Sequence, residues 1–118
     1  MKLRISEDVM SSAEGMMEDI LNTLKEFEGT YESNTGWVGD LAVWDRGYSS
    51  YSDDTYVFDI VFGDDKDRCD EVFYKPNKSE ITFFPYVGDI IRIKPANVSA
   101  LKRALKKEYS YLKRIWWT

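Results

Sequence analysis

The stretch 55-TYVFDIVF-62 decides the fold of this chain, because its apolar side chains recur at every second position. In an extended strand, this alternation separates the side chains into two faces. One face carries Tyr56, Phe58, Ile60 and Phe62. The other face carries Val57, Asp59 and Val61. The stretch is the clearest strand pattern in the sequence, and the neighbouring segments extend it into a sheet.

Further strand patterns lie on both sides of this stretch. They occupy Lys2–Ile5, Trp37–Trp44, Glu71–Lys75, Glu80–Phe84 and Ile90–Lys94. The residues Pro76-Asn77-Lys78-Ser79 separate two of these runs and are typical of a hairpin turn. Pro95 ends the last run. The sequence therefore predicts an antiparallel meander sheet of four to six strands.

One helix is predicted before these strands and another after them. The first, over 11–28, begins with capping-box spacing in Ser11-Ser12-Ala13-Glu14 and ends before Gly29. Its apolar stripe consists of Met10, Ala13, Met17, Ile20, Leu21, Leu24 and Phe27. Asn97 is the predicted cap of the second helix. The apolar stripe of that helix consists of Val98, Leu101, Leu105, Tyr109, Leu112 and Trp116.

Strands that are grouped together, rather than alternating with helices, are typical of an α+β fold. We therefore expect a single α+β domain over 1–118, with the N-terminal and the C-terminal helix packed on one face of the sheet. No apolar run approaches the roughly 20 residues of a membrane span. The single cysteine, Cys69, fits a reducing compartment. We expect a cytoplasmic protein without membrane contact.

The charge of the chain is divided unequally along its length. Residues 1–94 contain 20 acidic and 10 basic side chains, whereas residues 95–118 contain one acidic and six basic side chains. An acidic body followed by a basic helix attracts some partners and repels others. This division motivates the functional hypotheses below.

The residues that most enzymes use are scarce in this sequence. Histidine is absent, which removes the commonest general base and most catalytic zinc sites. Cys69 lies among carboxylates, which favour the neutral thiol over the nucleophilic thiolate. In the acidic run 63–71, Asp65 and Asp67 are followed by Cys69, and no glycine comes next as an EF-hand loop requires. We therefore predict no enzymatic activity, no cofactor and no metal site, and a metal-dependent enzyme is the last-ranked alternative.

The preferred hypothesis is a small acidic protein-interaction module that engages a basic, nucleic-acid-binding protein surface. Immunity proteins and phage anti-defence inhibitors work in this way, and a phage or mobile-element origin fits a small acidic cytosolic chain. Carboxylates would steer the encounter, and two tyrosines in a predicted loop over 45–54 would anchor it. The predicted partner-binding residues are Tyr48, Tyr51, Asp53, Asp54, Asp64, Asp65, Asp67, Asp70 and Glu71.

The second hypothesis is a single-stranded nucleic-acid-binding module. The run Val87–Lys94 resembles a strand of OB-fold domains, which stack bases on aromatic side chains in a basic groove. The residues that would form this surface are Tyr74, Phe83, Phe84, Tyr86, Arg92 and Lys94. Alternatively, the basic helix would contact phosphates. Its cations are Lys102, Arg103, Lys106, Lys107, Lys113 and Arg114.

Overall fold

The computed structural model describes residues 7–33, 36, 38–49, 52–63 and 69–117, with side chains described over 13–33, 36, 38–47, 54–63 and 69–113. Two α-helices, seven strands and a short 3₁₀ turn follow one another along these residues. In chain order they are α1 (Glu7–Lys25), β1 (Gly29–Ser33), β2 (Val38–Ser49), β3 (Ser52–Phe62), β4 (Cys69–Lys75), the turn Pro76–Lys78, β5 (Glu80–Phe84), β6 (Ile91–Ile93), α2 (Val98–Glu108) and β7 (Leu112–Trp117).

The strands form one antiparallel, curled sheet in the order β6-β5-β4-β3-β2-β1-β7. Strands β1 to β6 follow one another as a meander, and β7 then pairs with the free edge of β1. The predicted α+β class with an antiparallel sheet is confirmed. The predicted count of four to six strands is wrong, since the described residues contain seven.

The core lies against one face of the sheet. The alternation in β3 is confirmed there, because Phe58, Ile60 and Phe62 are all buried. Both helices contribute to the same cluster of buried side chains. Its helical members and the residue that follows α2 are Ile20, Leu24, Leu101, Leu105 and Tyr109. Its remaining strand members are Tyr31, Leu41, Val72, Tyr74, Ile81, Phe83 and Ile93.

Both helices differ from their predicted bounds. The first begins at Glu7, so the capping-box serines Ser11 and Ser12 lie inside it. The second ends at Glu108, because the chain turns there and Leu112–Trp117 forms β7 instead. Aromatic and β-branched residues favour a strand, and β7 supplies hydrogen bonds to the edge of β1. The side chain of Asn97 does accept a hydrogen bond from Ala100 N–H at 3.1 Å, so the predicted cap is confirmed.

The predicted loop over 45–54 is wrong, because most of it extends β2 and β3 into a long hairpin. The register shifts between Asp45 and Gly47, where Gly47 adopts a φ of 73°. Asp45 accepts hydrogen bonds there from Gly47 N–H at 2.9 Å and from the Tyr56 hydroxyl at 2.9 Å. This bulge lets a polar, glycine-containing segment remain paired. The predicted turn at residues 76–79 is confirmed, with Ser79 in the left-handed conformation.

One predicted strand stays a prediction, and one strand of the structure has no pattern in the sequence. The predicted strand Lys2–Ile5 lies outside the described residues. The residues 31–33, which carry no strand pattern in the sequence, contribute most of β1. Its pairing with β2 on one side and β7 on the other supplies the stabilisation that its own composition lacks.

Candidate functional site

The predicted partner-binding carboxylates whose positions the structure describes lie on two strands. Asp53 and Asp54 lie at the start of β3, whereas Asp70 and Glu71 lie at the start of β4. Asp70 is paired with Ile60, so six steps of extended chain separate it from Asp54 along the sheet, which corresponds to about 20 Å. These four described residues are therefore not gathered at one point of the sheet.

Several of the predicted contact residues are not described in full. Tyr51, Asp64, Asp65 and Asp67 lie outside the described residues, and nothing is said of their structure. Tyr48 and Asp53 are described only as members of β2 and β3. The role of these residues in partner binding stays a prediction. Asp54 is partly buried and accepts a hydrogen bond from the hydroxyl of Thr55 at 3.2 Å.

The prediction that Asp70 contacts a partner is wrong, because its side chain is fully buried. It lies on the core face of β4, opposite Ile60. One carboxyl oxygen accepts from the backbone N–H of Tyr86 at 2.7 Å, and the other accepts from the hydroxyl of Tyr109 at 2.6 Å. A partner cannot reach this group in the folded chain. The sequence did carry the signal, since Asp70 shares its alternation with the buried Val72 and Tyr74.

Glu71 lies on the opposite face of the sheet, where its side chain is partly exposed. It lies in a transverse row in which Trp44 is opposite Asp59, Asp59 is opposite Glu71, and Glu71 is opposite Phe84. The core cluster with its helical side chains occupies the other face. The indole of Trp44 is 62% exposed, which is large for a central position in a sheet.

Charged groups surround Trp44. Arg46 lies two residues further along β2, and its guanidinium is 3.2 Å from the carboxylate of Asp59 and 3.9 Å from that of Glu71. On the other side, the carboxylate of Glu28 accepts a hydrogen bond from the N–H of Val43 at 2.8 Å. It does so where β1 no longer pairs with β2. We call these five residues the Trp44 surface: Glu28, Trp44, Arg46, Asp59 and Glu71. Its three carboxylates outnumber its one guanidinium.

The thiol of Cys69 lies near this surface and has low reactivity as a nucleophile. Partial burial, followed by the charges of Asp59, Glu71 and Asp70, raises its pKa from the ordinary 9.0 to about 11. The guanidinium of Arg46 opposes this shift only in part. A thiol with so high a pKa is almost entirely protonated at neutral pH and is a poor nucleophile.

The basic residues do not share one helix. Lys102, Arg103, Lys106 and Lys107 lie on α2, whereas Lys113 and Arg114 belong to β7. An open groove of about 420 Å³ lies between the end of α1, α2 and the start of β7. Its lining residues are Glu26, Phe27, Tyr31, Lys102, Lys106, Tyr109 and Leu112. Lys102 is already paired with Glu26 at 3.3 Å.

The predicted aromatic platform for nucleic-acid bases is not formed. Tyr74 is 5% exposed and Phe83 is fully buried, so neither ring can stack on a base. Both belong to the core cluster beneath the helices. Phe84 lies on the opposite face of the sheet, where its ring packs against Phe73 with centroids 4.8 Å apart. The aromatic residues proposed for the nucleic-acid surface thus lie on both faces of the sheet.

No protein-family model, curated protein or solved structure matches this chain. Within the described ranges, no three His, Cys, Asp or Glu side chains are grouped so as to hold a metal ion. In the same part of the chain, neither helix combines the length and apolar character needed to cross a membrane. The functional argument therefore depends on the geometry of the surfaces described above.

Proposed function

We propose that this chain is a non-enzymatic protein-interaction module, of the kind that inhibitors and immunity proteins represent, and that it binds a basic protein surface through the Trp44 surface. The observation that carries the proposal is the exposed indole of Trp44 on the sheet face opposite the core. Tryptophan and arginine are the residues most enriched among those that dominate binding energy at interfaces.

The chemistry of the Trp44 surface favours a cationic partner. A lysine or arginine from the partner would stack on the indole face, an attraction that strengthens when the pair is desolvated. Asp59 and Glu71 would receive that cation, because Asp59 is directly opposite Trp44 and Glu71 lies one strand further. The two carboxylates share the guanidinium of Arg46. A partner surface of the same sign as these carboxylates would be repelled.

In this proposal, the acidic residues at the start of β3 and those that follow it in the sequence raise the rate of association. The chain carries a net charge of −5, and charge distributed around a binding surface accelerates encounter with an oppositely charged partner. Tyr48, Asp53 and Asp54 lie on the same hairpin as Trp44. Their contribution would be to association rate rather than to the central contact.

The test combines capture from an extract of the source organism with a quantitative titration. A captured protein is purified and its affinity measured for the wild type, for Trp44→Ala and for Val38→Ala. Val38 is the matched control, since it is another exposed apolar residue of β2 but lies outside the Trp44 surface. We expect Trp44→Ala to weaken binding by about 30-fold or more, as loss of an interface anchor does.

The salt dependence gives a second measurement on the same pair. The association rate of the wild type should fall as ionic strength rises, and Glu71→Gln should associate more slowly at low salt. Equal affinity of Trp44→Ala and wild type for the purified partner would refute the proposal. A captured partner whose contact surface is acidic would refute it as well.

A further inference from the structure

A second exposed apolar group lies at the end of the sheet, in the connection between β5 and β6. Tyr86, Val87 and Ile90 are 55%, 73% and 53% exposed. They lie within six consecutive residues, Pro85–Ile90, which we call the apolar tip. Contiguous exposed apolar groups of this kind are uncommon on a monomer surface and mark interaction sites.

The apolar tip is fixed from inside the protein. The backbone N–H of Tyr86 donates a hydrogen bond to the buried carboxyl group of Asp70. That group is held from its other side by the hydroxyl of Tyr109, whose ring lies edge-on against Phe27, Phe62 and Phe83. Asp70 therefore connects the tip to the centre of the core.

A buried Asp70 beneath an exposed apolar tip lowers the stability of the fold in two ways. Burying a carboxyl group is unfavourable even when it is well hydrogen-bonded, and leaving three large apolar side chains in water forgoes their burial. A polar sequence in the turn, together with an apolar side chain at position 70, would avoid both costs. What the arrangement does supply is an apolar surface held in one conformation, which reduces the entropy lost when a partner binds.

We propose that the apolar tip is a binding surface for a protein partner with an apolar pocket edged by lysine or arginine, and that Asp70 is its positioning residue. The charge around the tip selects that partner. Asp89 within the tip is exposed, and a Cβ placed on Gly88 would lie 3.8 Å from a carboxylate oxygen of Glu108. This surface is separate from the Trp44 surface and does not depend on it.

A displayed library of random short peptides tests the proposal directly, because it reports the chemistry that the tip prefers. Peptides are selected on the wild type, and each is then titrated against Val87→Ser/Ile90→Ser and against Trp44→Ala. We expect a group of peptides that combine large apolar residues with lysine or arginine. This group should lose about tenfold or more in affinity for the tip variant and keep its affinity for Trp44→Ala.

Two outcomes of the selection would overturn the proposal. One is the absence of any peptide whose binding depends on Val87 and Ile90. The other is a tip-dependent group that is acidic or lacks apolar residues. Neither outcome bears on the Trp44 surface, whose failure would show only in the Trp44→Ala titrations.

The positioning role of Asp70 is tested with a variant that leaves the core untouched. Gly88 has a φ of 123°, a conformation that a residue with a Cβ adopts only with strain, so Gly88→Ala should distort the tip alone. We expect both Gly88→Ala and Asp70→Ala to weaken the tip-dependent peptides and to leave the Trp44-dependent peptides unaffected, because alanine removes the acceptor of the Tyr86 N–H.

Hydrogen exchange supplies the second readout of the positioning role. In Asp70→Ala, which removes the acceptor of the Tyr86 N–H, the amide proton of Tyr86 should exchange faster while the amides of β3 stay protected. Wild-type affinity of Gly88→Ala for the tip-dependent peptides would show that the fixed shape is irrelevant and would overturn the positioning role. Unchanged exchange at Tyr86 in Asp70→Ala would overturn it independently.

Discussion

Replacement of Tyr109 by phenylalanine isolates the contribution of one hydroxyl to the stability of this protein. The ring contacts of Tyr109 with Phe62 and Phe83, at centroid distances of 5.8 and 6.4 Å, are kept by a phenylalanine. The hydrogen bond to Asp70 is lost, and the carboxyl oxygen that accepted it is fully buried. Loss of a hydrogen bond to a buried carboxyl group costs about 1–3 kcal/mol.

We therefore expect Tyr109→Phe to lower the free energy of unfolding by about 2 kcal/mol, which for a chain of this length lowers Tm by about 8 °C. Chemical denaturation gives the free energy, and calorimetry gives Tm. Tyr31→Phe is the matched control. The hydroxyl of Tyr31 donates to the backbone carbonyl of Phe27 at 2.5 Å, a neutral acceptor, and its loss should cost about 1 kcal/mol or less.

A double-mutant cycle decides whether the loss arises from the Asp70 bond. In an Asp70→Ala background, Tyr109→Phe should cost close to nothing, because the acceptor is gone. Equal costs in the two backgrounds would refute the reasoning, since the hydroxyl would then stabilise the protein through some other contact. A loss no greater than that of Tyr31→Phe would show that the carboxyl oxygen is solvated.

Three further outcomes follow from individual contacts. Leu105→Ala should destabilise the protein by about 2–5 kcal/mol in urea denaturation, because this fully buried side chain joins α2 to the core; a loss below about 1 kcal/mol would mean that α2 is loosely packed. Asn97→Ala should cost about 1 kcal/mol through loss of the helix cap, whereas Asn97→Asp should cost little. The thiolate absorbance of Cys69 should appear with a midpoint at about pH 11, and Arg46→Ala should raise that midpoint further. Because the unfolded thiol loses its proton first, near its ordinary pKa of 9.0, the free energy of unfolding should fall between about pH 9 and pH 11; a Cys69 midpoint near 9 would contradict this.

The sequence predicted those parts of the fold that depend on local pattern. The alternation of β3, the turn after β4 and the cap at Asn97 each follow from residues close together in the chain. Strand β1 was missed because Gly29–Ser33 is polar and is stabilised by its neighbours, one of which, β7, lies about 80 residues away. The same distant pairing explains why the helical stripe through Leu112 and Trp116 was misleading: strand formation beside β1 outweighed helix periodicity.

The candidate site was less predictable than the fold, because a count of charges does not say which side of a strand carries them. Asp70 and Glu71 are adjacent in an acidic run, yet one is sealed in the core and the other lies on the opposite face. The alternation of β4 contained this distinction, but the predicted strand begins at Glu71, which places Asp70 in the acidic segment before it. Trp44 was included in a predicted strand, but its exposure depends on which face the helices cover.

The position of Asp70 also constrains how the two proposed surfaces relate. Its carboxyl group ties the apolar tip to Tyr109 in the core, whereas Glu71, the next residue, belongs to the Trp44 surface. A displacement of β4 along its own axis would therefore disturb both surfaces, although Asp70 and Glu71 lie on opposite sides of the strand. Since β4 is paired along its length with β3 and β5, such a displacement would break two sets of backbone hydrogen bonds. The two surfaces should consequently act as rigid, independent contacts, and the effects of Trp44→Ala and Val87→Ser on the binding of a partner that spans both should be additive.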